Sequence, residues 1–269
     1  MGLLGAAVAA AATAALERAA EKLPKENREP FERTNHRGEA VTLLEGPVAV
    51  LGALAGVAAS RSSGKVKAAA LVAGSISGAV GAYDDLRGTT QAKGFRGHLS
   101  ALKRGEVTSG AIKILGVGVA GLTAAALLPR KSGGAKAIAG IVADGALIAG
   151  TANLTNLLDL RPGRALKGVA ALSAPLAVVS GPAAAVVGAA AASAPSDLGE
   201  RSMLGDCGAN GLGAMAGTAL AASLPRPLKT LVLAAVVALN VASEKVSFTK
   251  VIAGTPFLDK IDQWGRRPR

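Results

Sequence analysis

The sequence predicts an all-α, polytopic membrane protein of about nine transmembrane helices, with its N-terminus outside and its C-terminus cytoplasmic. Three observations predict it. Half of the 269 residues are hydrophobic and mean hydropathy is +0.40, yet aromatic residues make up only 2%. Ala, Leu, Val and 35 glycines must therefore fill the core, which is the composition of membrane helices whose small residues let backbones approach closely. Second, apolar runs recur along the chain at close to the ~20 residues that cross a bilayer. Third, lysine and arginine collect in alternate connections between those runs.

The same arithmetic excludes several classes. A disordered chain would leave too much apolar surface in water. The glycines show no three-residue period, so the chain is not collagen-like. A single cysteine, Cys207, rules out a disulfide scaffold. The net charge of +12 invites a nucleic-acid reading, but the charges sit in blocks between apolar segments and almost no aromatic side chain is present to stack on bases. Basic loops facing anionic lipids and phosphorylated substrates fit that charge better.

Taken in order, the expected spans cover about 2–17, 47–61, 66–83, 109–129, 136–152, 165–180, 182–196, 209–224 and 228–243. The first begins Met1-Gly2-Leu3-Leu4 with no basic segment before it, so it reads as a retained helix rather than a signal peptide. The connections after the first, third, fifth and seventh spans, together with the tail, carry 20 lysines and arginines; the other connections, with the span ends beside them, carry 8. Positive charge marks the cytoplasmic side. This gives a single membrane domain, 1–269, with cytoplasmic loops at about 18–46, 83–108, 153–164, 197–208 and 244–269. The external connections are short turns, such as Arg61-Ser62-Ser63-Gly64. No internal repeat of fixed period is visible, and Gly181 to Pro195, almost pure Ala and Val, reads as a tightly packed helix. The tail from Val251 to Trp264 alternates apolar and charged residues and reads either as an amphipathic helix on the membrane surface or as disorder.

The acids are few, and their placement points to chemistry. Asp84 and Asp85 end the third span, Asp159 follows the fifth, and Asp206 enters the eighth, all on the cytoplasmic face. Acids at that depth face a bundle interior or a polar cavity. Four of them converging would repel one another, and a divalent cation relieves that repulsion. Magnesium takes one or two carboxylates plus substrate phosphates and polarises a phosphoryl oxygen. The competing reading has each acid solvated separately at its helix end.

These residues resemble the polyprenyl-phosphate N-acetylhexosamine-1-phosphate transferases, the superfamily that includes phospho-N-acetylmuramoyl-pentapeptide transferase. The likeness runs in order along most of the chain: Arg37-Gly38 through Thr42 and Gly46, the pair Asp84-Asp85, Ser109 through Gly116 with Lys113, then Asn153, Asn156 and Asp159, and Gly205-Asp206-Cys207-Gly208 with Leu212-Gly213. The resemblance implies that Asp206 binds Mg2+. It implies that Asp84 and Asp85 serve the lipid phosphate nucleophile or the metal, with Lys113 balancing their charge. Asn153, Asn156 and Asp159 would hold the uridine and help shape the diphosphate site, with Arg37 in the same nucleotide-binding set. A polyprenyl phosphate would attack the β-phosphate of a UDP-sugar and release UMP. The implied setting is the cell membrane, with the active site facing the cytoplasm; a second copy of the chain is the implied protein partner, and nucleic acid is not a partner.

Departures accompany the likeness. The family's histidine motif in the last cytoplasmic loop is absent, since His36 and His98 lie far upstream. Asn156 stands where many members have Asp, and Ala209 where they have Ser. A non-catalytic homologue that binds lipid phosphate or envelope-assembly partners is therefore the alternative. A small transporter would put acids in mid-membrane, which only Asp144 does. Asp144 reads as lining a polar path or as protonated and hydrogen-bonded. Cys207 reads as a small filler of the motif's variable position or as a reactive thiol. His98 reads as a solvated loop residue or as a phosphate contact.

Overall fold

The structure is a computed structural model that describes residues 2–35, 37–88, 97, 103–130 and 133–268. His36, His98 and much of the expected loop at 83–108 lie outside the described residues. Each of the nine expected segments contains a helix. These are α1 (Gly2–Glu21), α3 (Glu45–Ala59), α4 (Gly64–Arg87), α5 (Ser109–Leu127), α6 (Gly134–Leu158), α7 (Arg164–Ser173), α8 (Gly181–Leu198), α9 (Gly205–Ser223) and α10 (Arg226–Ser243). Short helices α2 (Lys25–Arg28), α11 (Phe248–Gly254) and α12 (Pro256–Gln263) complete the described set. Five helices, α1, α4, α5, α6 and α10, are long and apolar enough to cross a membrane.

Helix α9 is the axis of the bundle. Nearly every residue from Gly205 to Ala221 is buried. It packs against α4 and α6 most extensively, and also against α3, α8, α7 and α5. It gives Leu212, Met215 and Ala216 to one apolar cluster and Ala214, Leu220 and Ala221 to a second. A helix surrounded on all sides needs small side chains on all sides, which is why its sequence is rich in Gly and Ala. The outer layer, α1 against α3 and α8, follows the same rule. A Cβ on Gly188 would overlap the Ala6 carbonyl, so α1 and α8 meet backbone to backbone. This close approach takes the place of the missing aromatic core.

Two segments differ from the expectation, and the tail takes the helical one of its two readings. The span expected at 165–180 contains only the ten-residue α7 and a 3-10 turn at Ala174–Leu176. Pro175 sits in that turn, where it removes a donor and ends the helix. Ten residues rise about 15 Å, half of a hydrocarbon core. The loop at 18–46 contains an antiparallel hairpin, β1 (Glu32–Thr34) paired with β2 (Ala40–Thr42), with Arg33 opposite Val41. Strands of three residues are too short to give a period-2 signal. The tail is helical, and its polar side docks on the bundle. Arg164 grips Asp262 with two bonds of 2.7 and 3.0 Å, and the Lys167 ammonium donates to the carbonyls of Ile261 and Asp262. Phe257, Ile261 and Trp264 are left facing outward.

Candidate functional site

The chain alternates direction, so the C-terminal ends of α4, α6, α8 and α10 meet the N-terminal ends of α5, α7 and α9. Asp84 and Asp85 occupy the last turn of α4. A carboxylate there is disfavoured by the helix dipole, so both need compensation from outside α4. Asp85 finds it at the start of α9. Its two carboxylate oxygens accept the backbone N–H groups of Asp206 and Cys207, each at 2.9 Å. Two of the donors left open by the first turn of α9 are thereby satisfied from another helix, with a negative charge at the positive end of the dipole. The fit depends on two glycines. Gly205 has φ +61°, and a Cβ there would lie 3.0 Å from the Asp85 carboxylate oxygens. A Cβ on Gly81 would overlap the Asp206 carbonyl.

Asp84 is compensated by Lys113, the fifth residue of α5. The ammonium lies 2.7 Å from Asp84 Oδ2 and 2.8 Å from Asp206 Oδ2, so one cation bridges two carboxylates from different helices. Thr108 caps α5 by accepting the Ala111 N–H, which fixes the turn that aims Lys113. Asp84, Asp85, Lys113 and Asp206 thus form one constellation. A guanidinium hydrogen bond from Arg33 of β1 reaches the Asp85 carbonyl.

Two clefts flank this centre. One, of about 380 Å³, is lined by Arg33, Asp85, Asn156, Asp159 and Asp206, among others. The other, of about 300 Å³, is lined by Lys113, Asn153, Asn156 and Asn210. Asn156 lies on both. Asn153 donates its amide to Asn240 on α10 at 2.6 Å, and Asn240 in turn donates to the carbonyls of Gly150 and Val236. Asn153 thus ties α6 to α10 while facing the cleft. Asp159, just past the end of α6, is buried. Burial, followed by the charges of Asp197 and Asp206, holds its carboxyl well above the usual carboxylate value.

Arg37 is not part of this constellation. It lies beyond the hairpin strand β1, with Nε 3.1 Å from Glu200 and a further bond to the Pro268 carbonyl at 2.7 Å. Cys207 is buried and unpaired with any other cysteine. Asp144 follows neither expected reading. It is an ion pair with Arg130 at 3.1 Å and Lys229 at 2.7 Å, joining α6, the end of α5 and the start of α10 at the opposite end of the bundle. Arg130 and Lys229 also donate to the Ala125 and Ala221 carbonyls near helix C-termini, where cations are favoured.

Sequence reasoning missed Asn210, Asn240, Arg33 and Asp197. Asn210 was legible: it stands four residues after Asp206 on one helix face, and its amide donates to the Asp206 carbonyl at 2.8 Å. The others are brought in only by packing between distant segments.

Among the described residues no three His, Cys, Asp or Glu side chains converge closely enough to cage a metal ion. Magnesium does not require a protein cage, since it binds through one or two carboxylates and completes its shell with water and phosphate. Asp84 and Asp206, both within reach of one ammonium, are a donor pair of that type. The chain matches no protein-family model and no curated protein.

Proposed function

We propose that the protein transfers a sugar-1-phosphate from a UDP-sugar to a polyprenyl phosphate in the cell membrane, releasing UMP, with the nine helical segments arranged so that the aspartate end faces the cytoplasm. The observation that carries this reading is the Asp84–Lys113–Asp206 bridge, locked by Asp85 and open to clefts on both sides. Carboxylates at the ends of apolar helices are costly to desolvate, and a pair of them bordering clefts is a candidate for a functional role. The excess of basic residues in the loops at this end supports the orientation.

In this reading Asp206 and Asp84 would hold Mg2+, which would offset charge on the diphosphate. Asn156 and Asp159 line the side of the cleft that receives the nucleotide. Lys113 bridges the two carboxylates and supplies a positive group at the centre. Arg33, on the rim, supplies a second positive group. Positioning and charge stabilisation are what phosphoryl transfer requires of a protein.

The second reading, a non-catalytic homologue, also has a specific observation in its favour. Asp85 is fully engaged as the cap of α9, and Lys113 already neutralises an oxygen of both Asp84 and Asp206. UMP release distinguishes the two. Purified protein should release UMP from a UDP-N-acetylhexosamine only with both polyprenyl phosphate and magnesium present. Asp206→Asn should lower turnover by at least about a hundredfold while the protein still purifies as a folded species, the loss expected when charge placed at a reacting phosphoryl group is removed. Wild-type turnover in this variant would remove Asp206 from the metal site. No turnover with any donor, alongside lipid-phosphate binding, would favour the non-catalytic reading.

A further inference from the structure

Away from the aspartate centre, positive charge concentrates where the tail meets the bundle. A cleft of about 450 Å³ is lined by Arg37, Arg161, Arg164 and Arg266, with Asp259 and Asp262 as its lining acids. The four arginines come from four segments: the β1–β2 turn, the α6–α7 connection, the start of α7 and the tail. Their available counter-charge is short. Asp262 serves two of them, accepting from Arg164 at 2.7 and 3.0 Å and from Arg266 at 2.8 Å. Asp259 accepts from the Gln263 amide. Arg37 is turned onto Glu200. Arg161 is half-buried, and no hydrogen bond or ion pair to its side chain is present among the described residues. The Nε–H of Arg266 is also buried with no acceptor.

We propose that this cleft is a phosphate-binding site. Gathering four guanidinium groups against three carboxylates, Asp259, Asp262 and the Glu200 that holds Arg37, costs like-charge repulsion and desolvation, and an anion in the cleft offsets both. Phosphate suits the site because its oxygens accept the paired N–H groups of arginine in the planar fork that guanidinium presents. The source is either a lipid headgroup or a soluble phosphate compound. The outward-facing Phe257, Ile261 and Trp264 beside the cleft would lie at headgroup level if the tail rests on the bilayer, as amphipathic helices do. The site shares no lining residue with the two clefts of the aspartate centre and does not depend on the transfer reading.

Trp264, the single tryptophan of the chain and two residues from Arg266, provides the probe. The full-length protein in phosphatidylcholine nanodiscs would be titrated with inorganic phosphate, following Trp264 emission and, independently, radiolabelled phosphate by equilibrium dialysis. A parallel series would raise the phosphatidylglycerol fraction of the nanodiscs. Saturation with inorganic phosphate identifies a soluble source; a response confined to phosphatidylglycerol identifies a headgroup. In either case Arg161→Gln, which breaks no bond of the fold, should weaken binding about tenfold, the loss of one charge-assisted hydrogen bond. Arg161→Lys should recover part of it, and Asp206→Asn should leave it unchanged. The proposal is overturned if neither probe binds more than chloride does at matched ionic strength. It is equally overturned if Arg161→Gln binds as the wild type does.

Discussion

Asp85→Ala separates a structural carboxylate from a catalytic one. In the structure the Asp85 carboxylate accepts the Asp206 and Cys207 N–H groups at 2.9 Å each. Losing a helix cap costs about 1 kcal/mol, and bonds to a charged acceptor are worth about 1.5–3 kcal/mol each. Part of that is returned, because Asp85 also sits unfavourably at the C-terminal end of α4 and near other acids. A net cost of about 2–3 kcal/mol to the first turn of α9 follows, and it multiplies the open population of that turn roughly 30- to 160-fold. Cys207, the single cysteine, is 4% exposed and lies in that turn, so its thiol reports the opening directly. Maleimide labelling of the purified protein, under conditions where closing is faster than reaction, should accelerate by that factor. Asp85→Asn keeps one carbonyl acceptor and loses the charge, so it should accelerate labelling less, by roughly 5- to 30-fold for about 1–2 kcal/mol. Labelling of Asp85→Ala at the wild-type rate would refute the capping argument and return Asp85 to the reacting groups.

Other expectations concern single charges. The raised Asp159 carboxyl means that the unfolded chain ionises first, so native stability falls as pH rises from the ordinary carboxylate value toward the raised one. Asp159→Asn should therefore raise the denaturation temperature in magnesium-free detergent at neutral pH and match the wild type near the ordinary carboxylate value; equal temperatures at neutral pH would refute this. For Asp262, burial alone would raise the carboxyl, but the hydrogen bonds and charge of Arg164, then the charge of Arg266, hold it below the usual value. Its contribution to tail docking is thus complete above the ordinary carboxylate value and lost as pH falls through the lowered one. Trp264 emission should stay constant through neutral pH and shift only in strong acid, whereas Asp262→Asn should show the shifted emission at neutral pH; an unshifted variant would show that other contacts hold the tail. Asp144→Asn leaves Arg130 and Lys229 without their carboxylate and should destabilise the protein by about 3 kcal/mol in detergent denaturation, while leaving UMP release per folded molecule unchanged.

The helix content, the positions of the nine apolar segments and the gathering of Asp84, Asp85, Asp159 and Asp206 at one end were legible in the chain itself. Hydrophobic runs and helix direction are local properties, and an alternating path puts every second connection at the same end. The resemblance implied Lys113 as the charge partner of Asp84 and Asp85; in the structure it pairs with Asp84 and Asp206. The small-residue composition also announced close helix packing, which the backbone contact at Gly188 makes concrete. The length of α7 was misjudged because the residues after Pro175 are as apolar as a span while lacking the donor that a continuing helix needs.

Tertiary structure alone decided how those residues divide their work. Nothing in Asp84-Asp85 says that one carboxylate bridges to Lys113 while its neighbour caps α9; adjacent residues on a helix point about 100° apart, so they meet different partners. Arg37 carried the right charge for a nucleotide but is drawn to Glu200 and the tail, because the short hairpin turns it away from the aspartate centre. The cleft of four arginines has no signature in the sequence, since its members stand up to 229 positions apart and meet only when Asp262 docks the tail. Composition and periodicity determine which segments form apolar helices; long-range hydrogen bonds and ion pairs, which depend on registers between helices, determine which polar groups end up facing one another.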